Sequence, residues 1–80
     1  MLTTEDIGRI IRFHRKKAGL TQVQLARLAG VGKTVVFDIE NGKESVRLDT
    51  LMKILAALNI RIELNSPLMA AFHERDDEKS

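Results

Sequence analysis

The sequence predicts a small, mainly α-helical protein that ends in one short β-strand. Its 80 residues allow at most one domain, and a composition of 44% hydrophobic and 30% charged residues is globular. Apolar residues recur at helical spacing in four successive segments, before the period changes to two towards the C-terminus. Because the chain has no Cys, disulfides and thiolate zinc sites are excluded, and we expect the core to hold by packing alone.

The first helix is predicted over residues 3–18, where apolar residues recur every three or four positions. Thr3 and Asp6 have the spacing of a capping box, and Gly19 favours the left-handed conformation that closes a helix. Gly8 lies inside this helix, where Gly costs about 1 kcal/mol relative to Ala. We therefore expect Gly8 to mark close packing against a neighbouring element.

Three further helices are predicted over residues 21–29, 33–41 and 48–58. The first of them begins with a second capping box, formed by Thr21 and Gln24, and ends at a Gly-Val-Gly turn. The last carries the strongest apolar stripe in the chain. Together with helix 1, these segments predict a small helical bundle.

The segment after helix 4 alternates apolar and charged side chains, which predicts one strand. Its residues are Ile60, Arg61, Ile62, Glu63 and Leu64. No other segment offers a convincing partner strand, so we expect a second copy of the chain to pair with it and form a homodimer. An antiparallel pairing centred on Ile62 keeps the apolar residues on one face and opposes Arg61 with Glu63, whereas centring on Arg61 would oppose like charges.

The charge distribution divides the chain into a domain over residues 1–66 and an acidic tail over residues 67–80. The domain has 11 Lys and Arg against 7 Asp and Glu, and the tail has 2 against 4, which gives net charges of +4 and −2. We expect the tail to be flexible. No apolar run reaches the roughly 18 residues of a membrane span, and the acidic N-terminus is unlike a signal peptide, so a cytoplasmic protein without membrane contact is expected.

Two features favour DNA as a partner. Helices 2 and 3 are short and joined by a Gly-bearing turn, as in the helix-turn-helix unit, whose second helix enters the major groove. Helix 1 also concentrates basic side chains that suit phosphates, although a solvated helix face is the alternative interpretation. These basic residues are Arg9, Arg12, Arg15, Lys16 and Lys17.

The spacing of individual residues resembles one family in particular. The positions that carry the resemblance are Gln22, Ala26, Gly30, Val31, Val36, Ile39 and Glu40. Each has a physical reason: Ala26 is small where two helices touch, Gly30 bends the turn, and Val36 fixes the reading helix to the core. Over about residues 7–58 the chain resembles the Xre-type (Cro/CI-type) helix-turn-helix family, which includes lambdoid phage repressors and HipB-type antitoxins.

The resemblance implies a lambda-repressor-like helical bundle and a sequence-specific transcriptional repressor that is not an enzyme. The C-terminal strand is similar to that of HipB-type antitoxins, which pair such strands across a dimer axis, repress their own operon and bind a HipA-like kinase toxin. The expected partners are thus double-stranded DNA with an inverted-repeat operator, a second copy of the chain and such a toxin. A phage-type or general Xre-family regulator, and a protein-interaction module that does not read DNA, are the alternatives.

The resemblance also implies roles for individual residues. The positions that face base edges in the family are Lys33, Thr34, Phe37 and Asp38. Lys33 can donate to guanine and Asp38 can accept from cytosine, whereas Phe37 departs from the polar residue usual in the family. The expected phosphate contacts are Thr21, Gln22, Asn41, Lys43, Arg12 and Arg47. Arg15 and Glu40 match a structural salt bridge that ties helix 1 to the end of helix 3.

No catalytic, metal or cofactor site is predicted. Gly32-Lys33-Thr34 resembles the end of a phosphate-binding loop, but Arg27 stands where that motif needs Gly, and no strand precedes it. His14 and His73 lack a nucleophile at recognisable spacing, and two isolated His make a poor metal set.

Overall fold

Most of the chain folds into helices, as the apolar periodicity predicts. The computed structural model describes the backbone of residues 1–79 and the side chains of residues 1–75, so Ser80, the last residue of the predicted tail, lies outside the described residues. The described helices are α1 (Thr4–Lys17), α2 (Gln22–Ala29), α3 (Lys33–Glu40), α4 (Leu48–Ala57) and α5 (Met69–Lys79). The first four agree with the predicted helices within one residue at each end.

Both predicted capping boxes are confirmed. The Thr3 hydroxyl accepts from the Asp6 backbone N–H at 3.1 Å, and the Thr3 N–H donates to the Asp6 carboxylate at 2.9 Å. At the start of α2, Thr21 and Gln24 make the same pair of bonds at 3.1 and 2.8 Å. Each box provides acceptors for two backbone N–H groups that have no partner within the helix, and so fixes where its helix begins.

A single apolar core joins α1, α2, α3 and α4. The buried core residues are Ile11, Leu25, Ala26, Val36, Ile39, Ile54 and Leu55. The most extensive helix packing is between α2 and α3, with further contacts of α3 to α1 and of α2 to α4. The two helices of the helix-turn-helix unit are therefore held against each other and by the rest of the bundle.

Gly8 is the point of closest approach between α1 and α3, which confirms the expectation of close packing. A Cβ atom at this position would lie 2.4 Å from the Ile39 carbonyl oxygen and 2.9 Å from that of Glu40. Both neighbours are backbone atoms, which cannot rotate away as a side chain can. Only Gly allows α1 to pack this closely on the end of α3.

The predicted strand over residues 60–64 is not formed in this single chain, and no β-strand occurs in residues 1–79. Asn59 adopts a left-handed φ of 59°, and the Ile60 N–H donates to the Leu55 carbonyl at 2.9 Å, which closes α4. The chain then runs on as an irregular segment in which Ile62 and Leu64 are exposed. A strand is defined by hydrogen bonds to a second strand, and none of the described segments supplies one.

Helix α5 was not predicted, because residues 67–80 were expected to form a flexible tail. The Ser66 carbonyl accepts from the Met69 N–H at 3.1 Å, and Pro67 lies where its missing N–H costs nothing. Met and Ala are strong helix formers, which explains the start of α5. The helix extends away from the bundle: the radius of gyration is 15.0 Å, against about 12 Å for a compact chain of this length. We call residues 3–58 the helical body and residues 59–79 the C-terminal arm.

Candidate nucleic-acid interface

Helix α3 is fixed to the core along one side and open to solvent along the other. Val36 and Ile39 are buried in the core, while Lys33, Thr34 and Phe37 are exposed. Gly32 is the N-cap of this helix and has no side chain to cap it, so the first N–H groups of α3 are left for solvent or a ligand. An exposed helix N-terminus next to a Lys side chain favours contact with a polyanion.

The exposed side of α3 forms one groove with the first turn of α2. Three of the predicted base-contacting residues, Lys33, Thr34 and Phe37, line this groove together with Gln22 and Val23. The structure thus brings predicted base contacts and a predicted phosphate contact onto one surface. Val23 was missed by the sequence analysis, although it is an apolar residue in the first turn of α2 that lies outside the buried stripe.

A buried ion pair lies directly behind this groove. Arg15 donates from Nε to Glu40 Oε2 at 2.6 Å and from Nη2 to Glu40 Oε1 at 2.9 Å. Its Nη1 donates to the Leu20 carbonyl at 2.9 Å, so the guanidinium links three elements. The hydrogen bonds to Glu40 raise the pKa of Arg15 above its ordinary value, although burial acts in the opposite direction.

Gln22 connects the ion pair to the groove. Its Nε2 donates to Glu40 Oε1 at 3.2 Å, a contact between residues 18 positions apart that the sequence analysis did not predict. Because an amide has a second N–H and an oxygen, Gln22 can hold Glu40 and contact a DNA backbone at the same time. The ion pair therefore orients a side chain on the exposed surface.

The end of α3 carries a second polar cluster, separate from the groove. Asn41 Nδ2 donates to the Phe37 carbonyl at 2.8 Å, which caps the helix. Lys43 Nζ lies 3.5 Å from Asp38 Oδ2, and the Lys43 N–H donates to the Asp38 carbonyl at 3.0 Å. A predicted base contact, Asp38, is thus paired with a predicted phosphate contact, Lys43.

The remaining predicted phosphate contacts lie on three different elements. Thr21 is exposed at the N-cap of α2, where its hydroxyl oxygen accepts from Gln24 and its O–H can still donate. Arg12 is exposed on α1. Arg47 donates to both carboxylate oxygens of Asp49 at 3.1 and 3.0 Å, and this contact lowers the pKa of Asp49.

The predicted basic flank of α1 is divided by its contacts. Arg9 donates to the Asp6 carboxylate at 2.6 Å, and Arg15 is turned inward to Glu40. The other three basic residues, Arg12, Lys16 and Lys17, are exposed. Lys17 lies over the ring of Phe13, with 5.6 Å between Nζ and the ring centroid. Of the five basic residues, only Arg15 is buried, and Arg9 is exposed but paired with Asp6.

The five residues predicted to form the dimer interface follow α4 and do not line the groove. Ile60 packs partly against the core, while Arg61, Ile62, Glu63 and Leu64 are exposed. Within the described part of the chain, no cluster of three or more His, Asp or Glu side chains could hold a metal ion. None of the described helices has the length and apolarity needed to cross a membrane.

Comparison with known proteins agrees with this arrangement. A family described as helix-turn-helix matches residues 11–65. An uncharacterized HTH-type transcriptional regulator of Sinorhizobium fredii is 35% identical over 65 residues, which cover 81% of this chain and 86% of that protein. The ImmF control region 10 kDa protein of Bacillus phage phi105 is also 35% identical over 65 residues, covering 81% of this chain and 70% of its own.

Solved structures share the same fold. The restriction-modification controller protein C.AhdI of Aeromonas hydrophila has a TM-score of 0.66 and 33% identity, over 72% of this chain and 88% of its own. HipB, in its complex with an O4 20mer, has a TM-score of 0.74 over 84% of this chain and 94% of its own, but at 24% identity this likeness shows the fold alone. Because the family match spans more than half of the sequence, the chain belongs to the Xre-type helix-turn-helix family of transcriptional regulators.

Proposed function

We propose that the protein is a dimeric, sequence-specific DNA-binding repressor whose α3 reads the major groove. The single observation that carries this proposal is the groove between α2 and α3. It places Lys33 and Thr34, at the first turn of α3, beside Gln22 on one exposed surface. The buried side of α3 fixes the orientation of that surface, as preorganised base recognition requires.

Base recognition falls to the first two turns of α3. Lys33 donates to guanine O6 and N7, and the Thr34 methyl or the Phe37 ring contacts a thymine methyl. Asp38 accepts from cytosine N4 when Lys43 turns towards a phosphate. The 3.5 Å separation between Lys43 and Asp38 is a weak contact, so this exchange costs little.

Phosphate contacts surround this reading surface. Thr21 and Gln22 hold the backbone at the start of α2, and Asn41 and Lys43 hold it after α3. Arg12 and Arg47 add charge from α1 and α4. Arg47 must leave Asp49 to reach a phosphate, and because its side chain is 82% exposed, that ion pair contributes only about 1 kcal/mol or less.

The C-terminal strand completes the dimer in this proposal. Antiparallel pairing centred on Ile62 opposes Ile62 with itself, Ile60 with Leu64, and Arg61 with Glu63 of the partner. A two-fold dimer of this kind can place two reading helices about 34 Å apart, which is one turn of DNA. The expected operator is therefore an inverted repeat.

Within the family, we assign the protein to the HipB-type antitoxins, which act in the cytoplasm with a HipA-like kinase toxin and repress their own operon. The fold likeness to HipB and the exposed alternating segment after α4 support this assignment. A general regulator is the second candidate, because the controller protein C.AhdI has higher identity to this chain. A reading frame for a kinase-like toxin beside the gene is expected for the first candidate and not for the second.

A competition gel shift with the DNA upstream of the gene tests the proposal. The protein should bind that DNA in preference to unrelated DNA, and Lys33→Ala should cost about 1–3 kcal/mol and relax the preference at one base pair. Lys43→Ala is the matched control, because it should weaken binding to all sequences alike and flatten the salt slope by about one unit. No specific binding at any salt concentration would instead favour a protein-interaction module.

A further inference from the structure

The groove between α2 and α3 contains two apolar side chains among its polar ones. Val23 is 40% exposed and Phe37 is 54% exposed, and both line the groove together with Lys33. We propose that Val23 and Phe37, which we call the apolar pair, contact the C5-methyl group of a thymine in the DNA that α3 reads. This inference rests on the proposed function and deepens it, because it adds Val23 as a specificity-determining residue on α2.

Helix α2 places Val23 next to α3. Residues three positions apart lie on the same side of a helix, so Val23 lies on the side of α2 that also carries Ala26. Ala26 is only 3% exposed and belongs to the core in which α2 packs against α3. Val23 lies one turn closer to the start of α2, where the groove opens. Its position is therefore fixed by the helix packing, while its side chain stays accessible.

Phe37 reaches the same groove from α3. It follows Lys33 by four positions and Thr34 by three, so these three side chains share one side of the helix. The neighbouring Val36 is fully buried, which fixes the direction of that side. The Phe37 carbonyl accepts from Asn41 Nδ2 at 2.8 Å, so the backbone at Phe37 is held as well. Phe37 thus faces the same ligand as the Lys33 ammonium group.

The polar residues of the groove indicate that this ligand is DNA. Lys33 carries a positive charge, and Gln22 beside it is oriented by its bond to Glu40. DNA supplies phosphates and guanine edges that accept from such groups. An apolar segment of another protein would cover the apolar pair but would leave the Lys33 charge without a counterpart. The occupant must therefore combine acceptors with an apolar group.

The major groove of DNA contains one such apolar group. Base edges there present hydrogen-bond donors and acceptors, and the exception is the C5-methyl of thymine. A donor or acceptor placed against Val23 or Phe37 would lose its water without gaining a partner, which is unfavourable. A thymine methyl gains from the same contact, because it leaves water for an apolar surface. The apolar pair therefore favours thymine over a base that lacks this methyl group.

Deoxyuridine tests the contact, because it is thymidine without the methyl group and pairs with adenine in the same way. The DNA upstream of the gene is amplified once with thymidine and once with deoxyuridine triphosphate, and gel shifts compare the two fragments. The wild type should bind the thymine fragment about fourfold more tightly for each methyl group that the apolar pair contacts. Amplified DNA carries no methylated cytosine, so thymine is the only source of this methyl group.

Val23→Ala identifies the residue on α2. It should bind the thymine fragment more weakly and the deoxyuridine fragment as the wild type does, which reduces the preference at a single contact to about twofold or less. Ala is a strong helix former, and circular dichroism checks that the helices are retained. Leu28→Ala is the matched control, because Leu28 is 62% exposed on the same helix but does not line the groove. This control should keep the full preference for thymine.

Thr34→Ser separates the apolar pair from the other methyl group that lines the groove, because Ser lacks only that methyl. Val23→Ala should reduce the preference for thymine more than Thr34→Ser does. The reverse order would mean that Thr34 contacts the thymine methyl, and an unchanged preference in Val23→Ala would mean that α2 takes no part. Either result would overturn the inference.

The same assay separates this inference from the proposed function. Specific binding to the upstream DNA with equal affinity for the two fragments would leave the repressor proposal in place and contradict the methyl contact. A preference for thymine that is the same in the wild type, Val23→Ala and Phe37→Ala would arise from DNA shape and would also contradict it. Absence of specific binding to the thymine fragment would overturn both. A thymine preference that depends on Val23 and Phe37 supports the inference.

Discussion

The helical body and the C-terminal arm differ in whether their side chains find partners within a single chain. The body closes its helix ends with two capping boxes, pairs its buried charges and shields its core residues almost completely from water. The arm leaves Ile62, Leu64, Leu68 and Phe72 exposed. Burial of one such side chain contributes about 1.5–3 kcal/mol. The core residues of the body already make this contribution, whereas the exposed residues of the arm would make it only on contact with another molecule.

The helical body is complete in a single copy of the chain, and the C-terminal arm is not. The body contains the partners for its own groups, so a single copy can present the groove between α2 and α3. In the arm, residues 60–64 have the alternation of a strand but no second strand within residues 1–79 to pair with. Leu68 and Phe72 are apolar and exposed, and none of the other described helices covers them. Changes in the body should therefore alter folding, while changes in the arm should alter association.

The largest expected effect comes from breaking the ion pair behind the groove. Arg15→Ala leaves the Glu40 carboxylate, whose side chain is only 3% exposed, without its cation and should lower the free energy of unfolding by about 3–5 kcal/mol. Urea denaturation measures this loss. Arg47→Ala removes a similar contact from an exposed pair and should cost about 1 kcal/mol or less. Equal losses in the two variants would contradict the account of the body.

A smaller loss is expected where α1 meets α3. Gly8→Ala should destabilise the body by about 1–3 kcal/mol, because its Cβ would overlap the Ile39 carbonyl oxygen, even though Ala is the better helix former. Gly32→Ala is the control, since a Cβ there meets open space and only the N-cap preference changes. A thermal unfolding midpoint for Gly8→Ala above that of the wild type would show that the helices can separate at no cost.

The smallest effect concerns the cap of α1. Hydrogen bonds from the Thr3 backbone N–H, and then from Arg9, hold the pKa of Asp6 below its ordinary value of 3.8. A carboxyl group with a lowered pKa stabilises the fold above its unfolded pKa, and this stabilisation is lost as the pH falls through the folded pKa. Asp6→Asn should therefore lower the unfolding temperature at neutral pH, and this difference should disappear as the pH falls below the ordinary pKa of 3.8 and through the lower pKa of the folded state. A difference in unfolding temperature that persists at acid pH would mean that packing, and not the carboxylate charge, causes the loss.

The sequence predicts what local chemistry decides. The two capping boxes and the apolar stripes involve residues three or four positions apart, and the helices they define agree with the structure. The exposure of Lys33, Thr34 and Phe37 also followed from α3, because Val36 and Ile39 fix which side is buried. Gly8 could be recognised as unusual within a helix, but only the fold reveals that the Ile39 backbone lies against it.

What the sequence does not predict depends on distant contacts or on a second molecule. The bond from Gln22 to Glu40 joins residues that only the packing of α2 on α3 brings together. The helical start of the arm was obscured by the charged residues after Phe72, which favoured a flexible tail. The alternation of residues 60–64 predicts a strand, but its hydrogen bonds need a partner chain that a single copy cannot supply.

The measurement that tests the contrast between body and arm most directly is sedimentation of an Ile62→Arg protein, together with its circular dichroism. Ile62 is 45% exposed in the single chain, so Arg can be accommodated there without disturbing the body. In the proposed dimer it would place two charges together on the axis in an apolar setting. We predict a monomer at micromolar concentration with the helical signal retained and cooperative binding to an inverted repeat lost. A protein that stays dimeric would contradict the account and place the interface elsewhere.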